Sequence, residues 1–172
     1  MNILTTRKAV GHTGASTVEF ALILPLFFIL IFGIMDFGWY FFVQHTLQFS
    51  TREGVRLALV GRQLDDGEGG KLSREESIIT TIKDKVSLAI DPAKLAIYIF
   101  PVDSNYDDPA NWESYGGDEE NPGSPDAGDP GHYMRVRTKY SYDFLTPMVG
   151  IYFPDGKISI QADATYRNEI FE

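Results

Sequence analysis

The chain has 172 residues, of which 44% are hydrophobic, so it is long enough to fold around a packed core. Its formal net charge of −9 at pH 7 argues against a nucleic-acid partner, because proteins that bind nucleic acid present positive charge. It contains no cysteine, which excludes disulfides, thiolate catalysis and cysteine–zinc sites.

The N-terminal leader is short and basic. Residues 1–14 include Arg7, Lys8 and His12 and no acidic residue, whereas all but two of the 24 acidic residues follow residue 44. Positively charged flanks of a membrane helix stay on its cytoplasmic side. We therefore expect the leader in the cytoplasm and the acidic remainder outside the membrane.

An apolar segment follows the leader and continues, with one interruption at Asp36, to Val43. As a helix, Phe20–Val43 reaches about 36 Å, enough to cross a hydrocarbon core of about 30 Å. A buried core helix would show a polar face, and a cleaved secretory signal would be shorter and would end at a small-residue site. The segment therefore predicts a membrane-spanning helix, which Pro25 is expected to kink or locally melt.

Two acidic residues accompany this segment. Asp36 lies about two-thirds of the way along it, and an acid inside a membrane is by default a functional hypothesis. The alternative is a solvated carboxylate near the outer interface of a tilted or shifted helix. Glu19 lies at the cytoplasmic edge, where its simplest interpretation is an acid favoured by the helix dipole, with Ser16 or Thr17 as the cap.

The stretch "GASTVEF" (residues 14–20), between a basic leader and an apolar helix, resembles the class III signal of type IV pilin-like proteins. The resemblance implies that a membrane-embedded prepilin peptidase cuts between Gly14 and Ala15, so that Glu19 becomes the fifth residue of the mature chain. The pair Glu19–Phe20 is similar to the Flp/Tad branch of that family and is its expected determinant of processing and assembly.

More of the chain carries the resemblance. "STREGVRLALVG" (50–61) is similar to the Arg-Glu-Gly-Ala-Arg type stretch of TadE-like proteins, and "VRTKYSYDFLTPMVG" (136–150) and "ISIQADATYRNE" (158–169) are similar to their C-terminal strands. The chain is far longer than an Flp pilin, which favours a TadE-like minor pilin (pseudopilin). A TadF-like role stays open.

The resemblance implies a single-pass protein of the bacterial inner membrane that acts in assembly and is not an enzyme. Its implied partners are the prepilin peptidase, other pilin-like subunits contacted through the N-terminal helix, the inner-membrane assembly platform and membrane lipid. After cleavage, the new amino group of Ala15 and the carboxylate of Glu19, one helical turn apart, can neutralise each other within a subunit or between neighbours.

The helix is expected to continue beyond the membrane. A spacing of three and four residues places Leu47, Gly54, Leu57 and Ala58 on one packing face, and Gly61 is a suitable stop. The expected organisation is therefore a cytoplasmic leader over residues 1–14, a transmembrane and stem helix over 15–61, and an extracytoplasmic head over 62–172.

The head is predicted to have an α+β fold. Ser73 and Glu76 form a capping-box pattern that opens a second helix over residues 74–90. Alternating, β-prone segments at 94–102, 132–144 and 157–168 predict three strands of a small antiparallel sheet. As in pilin-like folds, this sheet is expected to pack on the stem helix or on the second helix.

A long acidic loop over residues 103–131 joins the first two strands and has no basic residue. Asp103, Asn105 and Asp107 have the opening spacing of a calcium loop, but Asp108 replaces its glycine and Ser114 its final glutamate, so they are weak candidates. The default interpretation is a solvated loop that faces a partner. No other cofactor is expected.

The aromatic residues Tyr106, Trp112 and Tyr115 of this loop form either a contact patch or local packing. His12, His45 and His132 lack metal-ligand spacing, and the sequence contains no nucleophile elbow or phosphate-binding motif.

The sequence leaves three alternatives to the minor pilin open. The first is a single-span anchored binding module that uses the acidic loop for calcium or a basic partner. The second is an anchored hydrolase of the cell envelope, and the third is a major pilin.

Overall fold

The structure, a computed structural model, describes residues 13–117 and 122–170. Most of the leader, with Arg7, Lys8 and His12, lies outside these ranges. The main elements in chain order are the helices and strands α1 (Thr13–Leu59), α2 (Arg74–Val86), β1 (Leu95–Pro101), β2 (Tyr133–Asp143), α3 (Pro147–Gly150) and β3 (Lys157–Arg167). The strands form an antiparallel sheet in the order β1-β2-β3. The predicted α+β class is confirmed.

The first half of α1 has no protein around it. From residue 14 to residue 35 no residue is buried, and this stretch belongs to a helix long and apolar enough to cross a membrane. Pro25 lies inside α1, which continues through it as a helix. The expected local melting at Pro25 is therefore wrong, while a bend of the helix axis there stays a prediction.

The second half of α1 is the stem, residues 36–59, and one side of it is buried in the head. The predicted packing face is confirmed, since Leu47, Gly54 and Ala58 are buried and Leu57 is half-buried. Gly61 adopts a positive φ of 63° and its N–H donates to the carbonyl of Ala58 at 3.0 Å. Glycine adopts this conformation without strain, so Gly61 stops the helix as expected.

Helix α2 begins with the predicted capping box. The backbone N–H of Glu76 donates to the Ser73 hydroxyl at 3.1 Å, and the Glu76 carboxylate accepts from the Ser73 N–H at 3.0 Å. Its buried face includes Ile78, Ile82 and Val86, which pack in one core with the stem. The helix ends at Val86, four residues earlier than predicted.

The sheet packs on both helices with one face. Met134, Val136, Thr138 and Tyr142 of β2 are buried on that side, as the alternation of the sequence indicates. Strands β2 and β3 lie against α1, and β1 contacts α2. The stem is therefore part of the wall of the head's core.

Gly54 is required by the close approach of α1 to α2, and this generates a first prediction. A Cβ at position 54 would lie 2.6 Å from Cγ1 of Ile82, whereas at Gly38 a Cβ would meet nothing within 4 Å. Gly54→Ala should lower the free energy of unfolding by about 1–3 kcal/mol, because Ile82 is fully buried and must move. The measurement is urea unfolding of the full chain in detergent, followed by near-UV circular dichroism.

Gly38→Ala is the matched control and should leave the free energy of unfolding unchanged or raise it by up to about 1 kcal/mol, the helix-propensity gain. Equal effects of the two substitutions would contradict the close packing of α1 on α2.

Candidate functional site

The residues of the predicted signal lie on the first turns of α1 and are open to their surroundings. Gly14, Ala15, Glu19 and Phe20 are all exposed, and Phe20 keeps 64% of its accessible surface. No atom lies within 4 Å of the position that a Cβ of Gly14 would take. Within residues 13–117 and 122–170, Glu19 makes no salt bridge. The arrangement leaves both the peptide bond after Gly14 and the Glu19 carboxylate accessible to another molecule.

Asp36 is enclosed by other parts of the protein. Its side chain is fully buried, and its carboxylate accepts hydrogen bonds from the N–H of Leu145 at 2.7 Å, from the N–H of Thr146 at 3.2 Å and from the Thr146 hydroxyl. The interpretation of Asp36 as a solvated acid is therefore wrong, while its depth in the membrane stays a prediction. Asp36 joins the stem to the loop between β2 and α3.

Backbone N–H groups and a hydroxyl can hold a carboxylate because they replace the hydrogen bonds that it would make with water. The residues that meet here are more than 100 positions apart in the chain. Nothing in the local sequence of either segment indicates its partner. The only local signal was the acid itself, in an otherwise apolar stretch.

A ladder of aromatic rings extends this junction. Tyr40 of the stem packs edge-on against Tyr142 at 5.5 Å between ring centroids, Tyr142 against Phe144 at 5.4 Å, and Phe144 stacks on Phe153 at 4.5 Å. The Tyr142 hydroxyl donates to the Asp36 carbonyl at 3.4 Å. Burial, and then the charge of Asp36, raise the pKa of Tyr142 to about 12, so its hydroxyl keeps its proton at neutral pH.

The stem is attached to the head at two further levels. The hydroxyls of Thr51 and Thr138 lie 2.8 Å apart in the buried middle of the interface. At the end of α1, the N–H of Glu169 donates to the Leu59 carbonyl at 3.1 Å, and the Arg74 guanidinium donates to the side-chain oxygen of Asn168 at 3.1 Å. The head is thus held along the whole stem, from Asp36 to Leu59.

The acidic loop runs along the free edge of β1 and covers part of the other face of the sheet. The N–H groups of Gly117 and Asp126 donate to β1 carbonyls, at 3.0 Å to Ile97 and 2.9 Å to Ile99. Arg137 is only 7% exposed beneath this cover. Most residues of the loop in 103–117 and 122–131 are exposed, as a solvated loop predicts, but the loop is also attached to the sheet.

Charges of the loop are paired with strand arginines. The Asp108 carboxylate contacts Arg135 and lies 2.8 Å from Arg137, which also donates to both oxygens of Asp163 at 2.9 and 2.8 Å. These bonds raise the pKa of Arg137. Burial alone would raise the pKa of Asp163, but the hydrogen bonds and charge of Arg137 outweigh it and lower that pKa.

The aromatic residues of the loop pack locally. Trp112 lies edge-on to Tyr98 at 5.0 Å, and the ammonium of Lys139 lies 4.1 Å from its ring centroid. Tyr106 contacts Tyr133, and Tyr115 contacts Phe100. Of the two interpretations of these aromatic residues, a contact patch or local packing, the observed contacts are those of local packing.

The calcium-like spacing has a structural explanation. One oxygen of Asp103 accepts from the N–H groups of Asn105 at 2.9 Å and Asp107 at 2.8 Å, so this carboxylate closes its own turn. In the described part of the chain, no group of three or more histidine, aspartate or glutamate residues is placed to hold a metal ion. His45 and His132 are exposed and lie on different elements.

Comparison with known proteins gives a match in the N-terminal part of the chain. Residues 14–56 match the family model described as TadE-like protein. The matched range begins at the predicted cleavage site, includes the exposed half of α1 and Asp36, and ends within the stem. No curated protein and no solved structure matches the chain significantly.

The junction at Asp36 generates a second prediction. Asp36→Leu should lower the free energy of unfolding by about 2 kcal/mol or more, because the N–H groups of Leu145 and Thr146 lose their acceptor. Asp36→Asn keeps one acceptor oxygen and should lower the free energy of unfolding by less than Asp36→Leu does. Hydrogen exchange of the full chain in detergent should show faster exchange at Leu145 and Thr146 in the leucine variant.

Asp84→Leu, at an exposed position of α2, is the control and should leave exchange at Leu145 and Thr146 unchanged. Unchanged exchange at both amides in Asp36→Leu would contradict the junction.

The lowered pKa of Asp163 generates a third prediction. Because its folded pKa lies below the usual 3.8, Asp163 stabilises the fold above that pH, and this contribution is lost as the pH falls through the folded pKa. Asp163→Asn should therefore lower the free energy of unfolding at pH 7 by roughly half a kcal/mol, a small value because the Arg137–Asp163 pair is partly exposed. The variant should also lose less stability than the unaltered protein as the pH falls below 4. The measurement is the urea midpoint of unfolding at a series of pH values from 7 to 2. If the midpoint of Asp163→Asn falls with decreasing pH as steeply as that of the unaltered protein, the pairing with Arg137 is contradicted.

Proposed function

We propose that this chain, a TadE-like protein of the Tad pilus system, is a minor pilin (pseudopilin) that a prepilin peptidase processes between Gly14 and Ala15 and that enters a pilus or related secretion filament through α1. The family match over residues 14–56 is the observation that carries the proposal. In this proposal the head of the protein lies outside the inner membrane and the leader lies in the cytoplasm, which is the orientation that the basic leader favours.

The division of α1 supports this proposal. A helix that must cross a membrane and then pack against similar helices needs a face free of its own head, and none of residues 14–35 is buried. Ala15, Ser16 and Thr17 are small, which allows neighbouring helices to approach closely. The stem also keeps large apolar side chains on the side away from the head, among them Phe41 and Phe49, which are 53% and 55% exposed.

Glu19 has a role that fits its exposure. A carboxylate in the first turns of a membrane helix is costly without a counter-charge. Cleavage after Gly14 creates an ammonium group on Ala15, within one turn of Glu19 on the same helix or within reach on a neighbouring one. The pair makes the carboxylate tolerable in the packed bundle, so Glu19 favours ordered insertion of the subunit.

The proposed function requires no catalytic chemistry by this chain, and its partners are the peptidase, other pilin-like subunits, the assembly platform in the inner membrane and lipid. Of the calcium candidates, Asp103 uses one carboxylate oxygen to close its own turn, and the neighbouring Asp108 is paired with arginines. We therefore propose a protein without a metal cofactor, which assembles rather than catalyses.

A fourth prediction tests the processing site. Gly14→Phe should leave a full-length precursor in the membrane, because a bulky side chain replaces the glycine before the cleaved bond. Gly11→Phe, the same substitution three positions earlier in the leader, is the matched control and should still give a mature chain that starts at Ala15. Intact mass and N-terminal sequencing of protein extracted from the native membrane distinguish the products.

An unaltered chain that still begins at Met1 or Asn2 would contradict the proposal and favour the anchored binding module. A chain processed equally in both variants would move the cleavage site away from Gly14.

A further inference from the structure

The turn between β2 and β3 carries a group of exposed apolar side chains, which we call the hairpin tip: Leu145, Met148, Ile151 and Tyr152. They are 56%, 40%, 74% and 81% exposed, respectively. Such a group on a short projecting turn is unusual for a surface that faces water only. We propose that the hairpin tip inserts into the outer interface of the membrane that α1 crosses, as a second contact of the head with lipid. This inference rests on the proposed membrane anchor.

The place of the hairpin tip along α1 is determined by Asp36. The carboxylate of Asp36 accepts from the N–H groups of Leu145 and Thr146, the first residues of the tip. The stacked rings of Phe144 and Phe153 close the base of the turn, and Tyr142 connects Phe144 to Tyr40 of the stem. The tip is therefore fixed at the level of residues 36–40 and cannot move along the helix independently.

The membrane boundary falls at the same level. Glu19 is the last charged residue before the apolar segment. A hydrocarbon core of about 30 Å corresponds to about 20 helical residues, which places its outer edge near Trp39. Trp39 itself is 40% exposed, and tryptophan and tyrosine concentrate at the boundary between lipid and water. The hairpin tip and Trp39 therefore reach the same interface from two elements.

The chemistry of the tip fits the level of lipid headgroups. Leucine, methionine and isoleucine side chains supply apolar surface, and Tyr152 combines an apolar ring with a polar hydroxyl. The charged groups of the turn are few: Asp155 is exposed, and Lys157 pairs with Asp143 at 3.2 Å where the two strands begin. Binding driven by apolar contact with so little net charge should be insensitive to salt and to the charge of the lipid.

The chain offers a matched pair of positions for the test, since it contains no cysteine. Ile151 lies at the tip, and Ile170, 91% exposed, lies beyond β3 next to Glu169, which bonds to Leu59 at the other end of the stem. Along α1, residues 36 and 59 are about 35 Å apart. Ile151→Cys and Ile170→Cys, each labelled with an environment-sensitive fluorophore, place the same probe at the two ends of the head.

The experiment uses the full chain reconstituted into phosphatidylcholine vesicles with and without brominated lipid. The label at position 151 should be blue-shifted and quenched about twofold by the bromine atoms, unchanged by 1 M salt, and the label at position 170 should be unaffected. A label at position 151 that is neither shifted nor quenched would overturn the inference. A label there that is shielded from aqueous iodide yet not quenched by brominated lipid would also overturn it, in favour of a protein neighbour.

A third variant separates this inference from the anchor on which it rests. Leu26→Cys places the label in the middle of the exposed half of α1. Quenching at position 26 without quenching at position 151 supports the membrane anchor and overturns the proposed insertion of the hairpin tip. Absence of quenching at position 26 overturns the anchor and, with it, the inference.

Discussion

The burial of a single carboxylate organises this molecule. Transfer of the Asp36 carboxylate from water to lipid would cost free energy, and in the folded protein this carboxylate is shielded from water. The backbone N–H groups of Leu145 and Thr146 supply the hydrogen bonds that it needs. Because those groups belong to the turn between β2 and β3, satisfying Asp36 brings the far end of the sheet against α1. This contact fixes one end of the head on the helix, and the bonds at Thr51 and Leu59 fix the rest.

That contact divides a continuous helix of 47 residues into one part that is not buried and one part that packs on the head. Before Asp36 the helix exposes apolar side chains in every direction, which suits lipid and neighbouring helices. After Asp36 it buries one stripe, including Leu47 and Gly54, in the head's core and leaves the opposite side open. Under the proposed function, such a subunit would present its helix to the filament while its head stays attached along the stem.

Much of the fold could be predicted from the sequence because the signals were local. The capping box at Ser73 and Glu76, the alternation along residues 132–144 and the stop at Gly61 each depend on a few neighbouring residues, and each is confirmed. Residues 14–20 and 50–61 also carried the resemblance to pilin-like and TadE-like proteins, and residues 14–56 match the TadE-like family model. The limits of α2 differ by four residues, since the turns after Val86 lack a strong stop signal.

The features that could not be predicted depend on contacts between distant segments. The sequence alone does not indicate how the Asp36 carboxylate is satisfied, because its hydrogen-bond donors lie more than 100 residues away along the chain. The acidic loop reads as solvated because the arginines that pair with Asp108 belong to β2, where the alternation places them on the outer face. In both cases the residue type indicated a need for a partner, and only the tertiary structure identified that partner.

The central claim is that α1 changes surroundings at Asp36, and a cysteine scan in membranes of living cells tests it most directly. Single cysteines at exposed positions before the junction, such as Leu26 and Leu30, and beyond it, such as Arg52 and Arg56, would be treated from outside with a thiol reagent that cannot cross the membrane. The account predicts that positions 26 and 30 react only after detergent is added, while positions 52 and 56 react in intact spheroplasts. Reaction at positions 26 and 30 without detergent would contradict it.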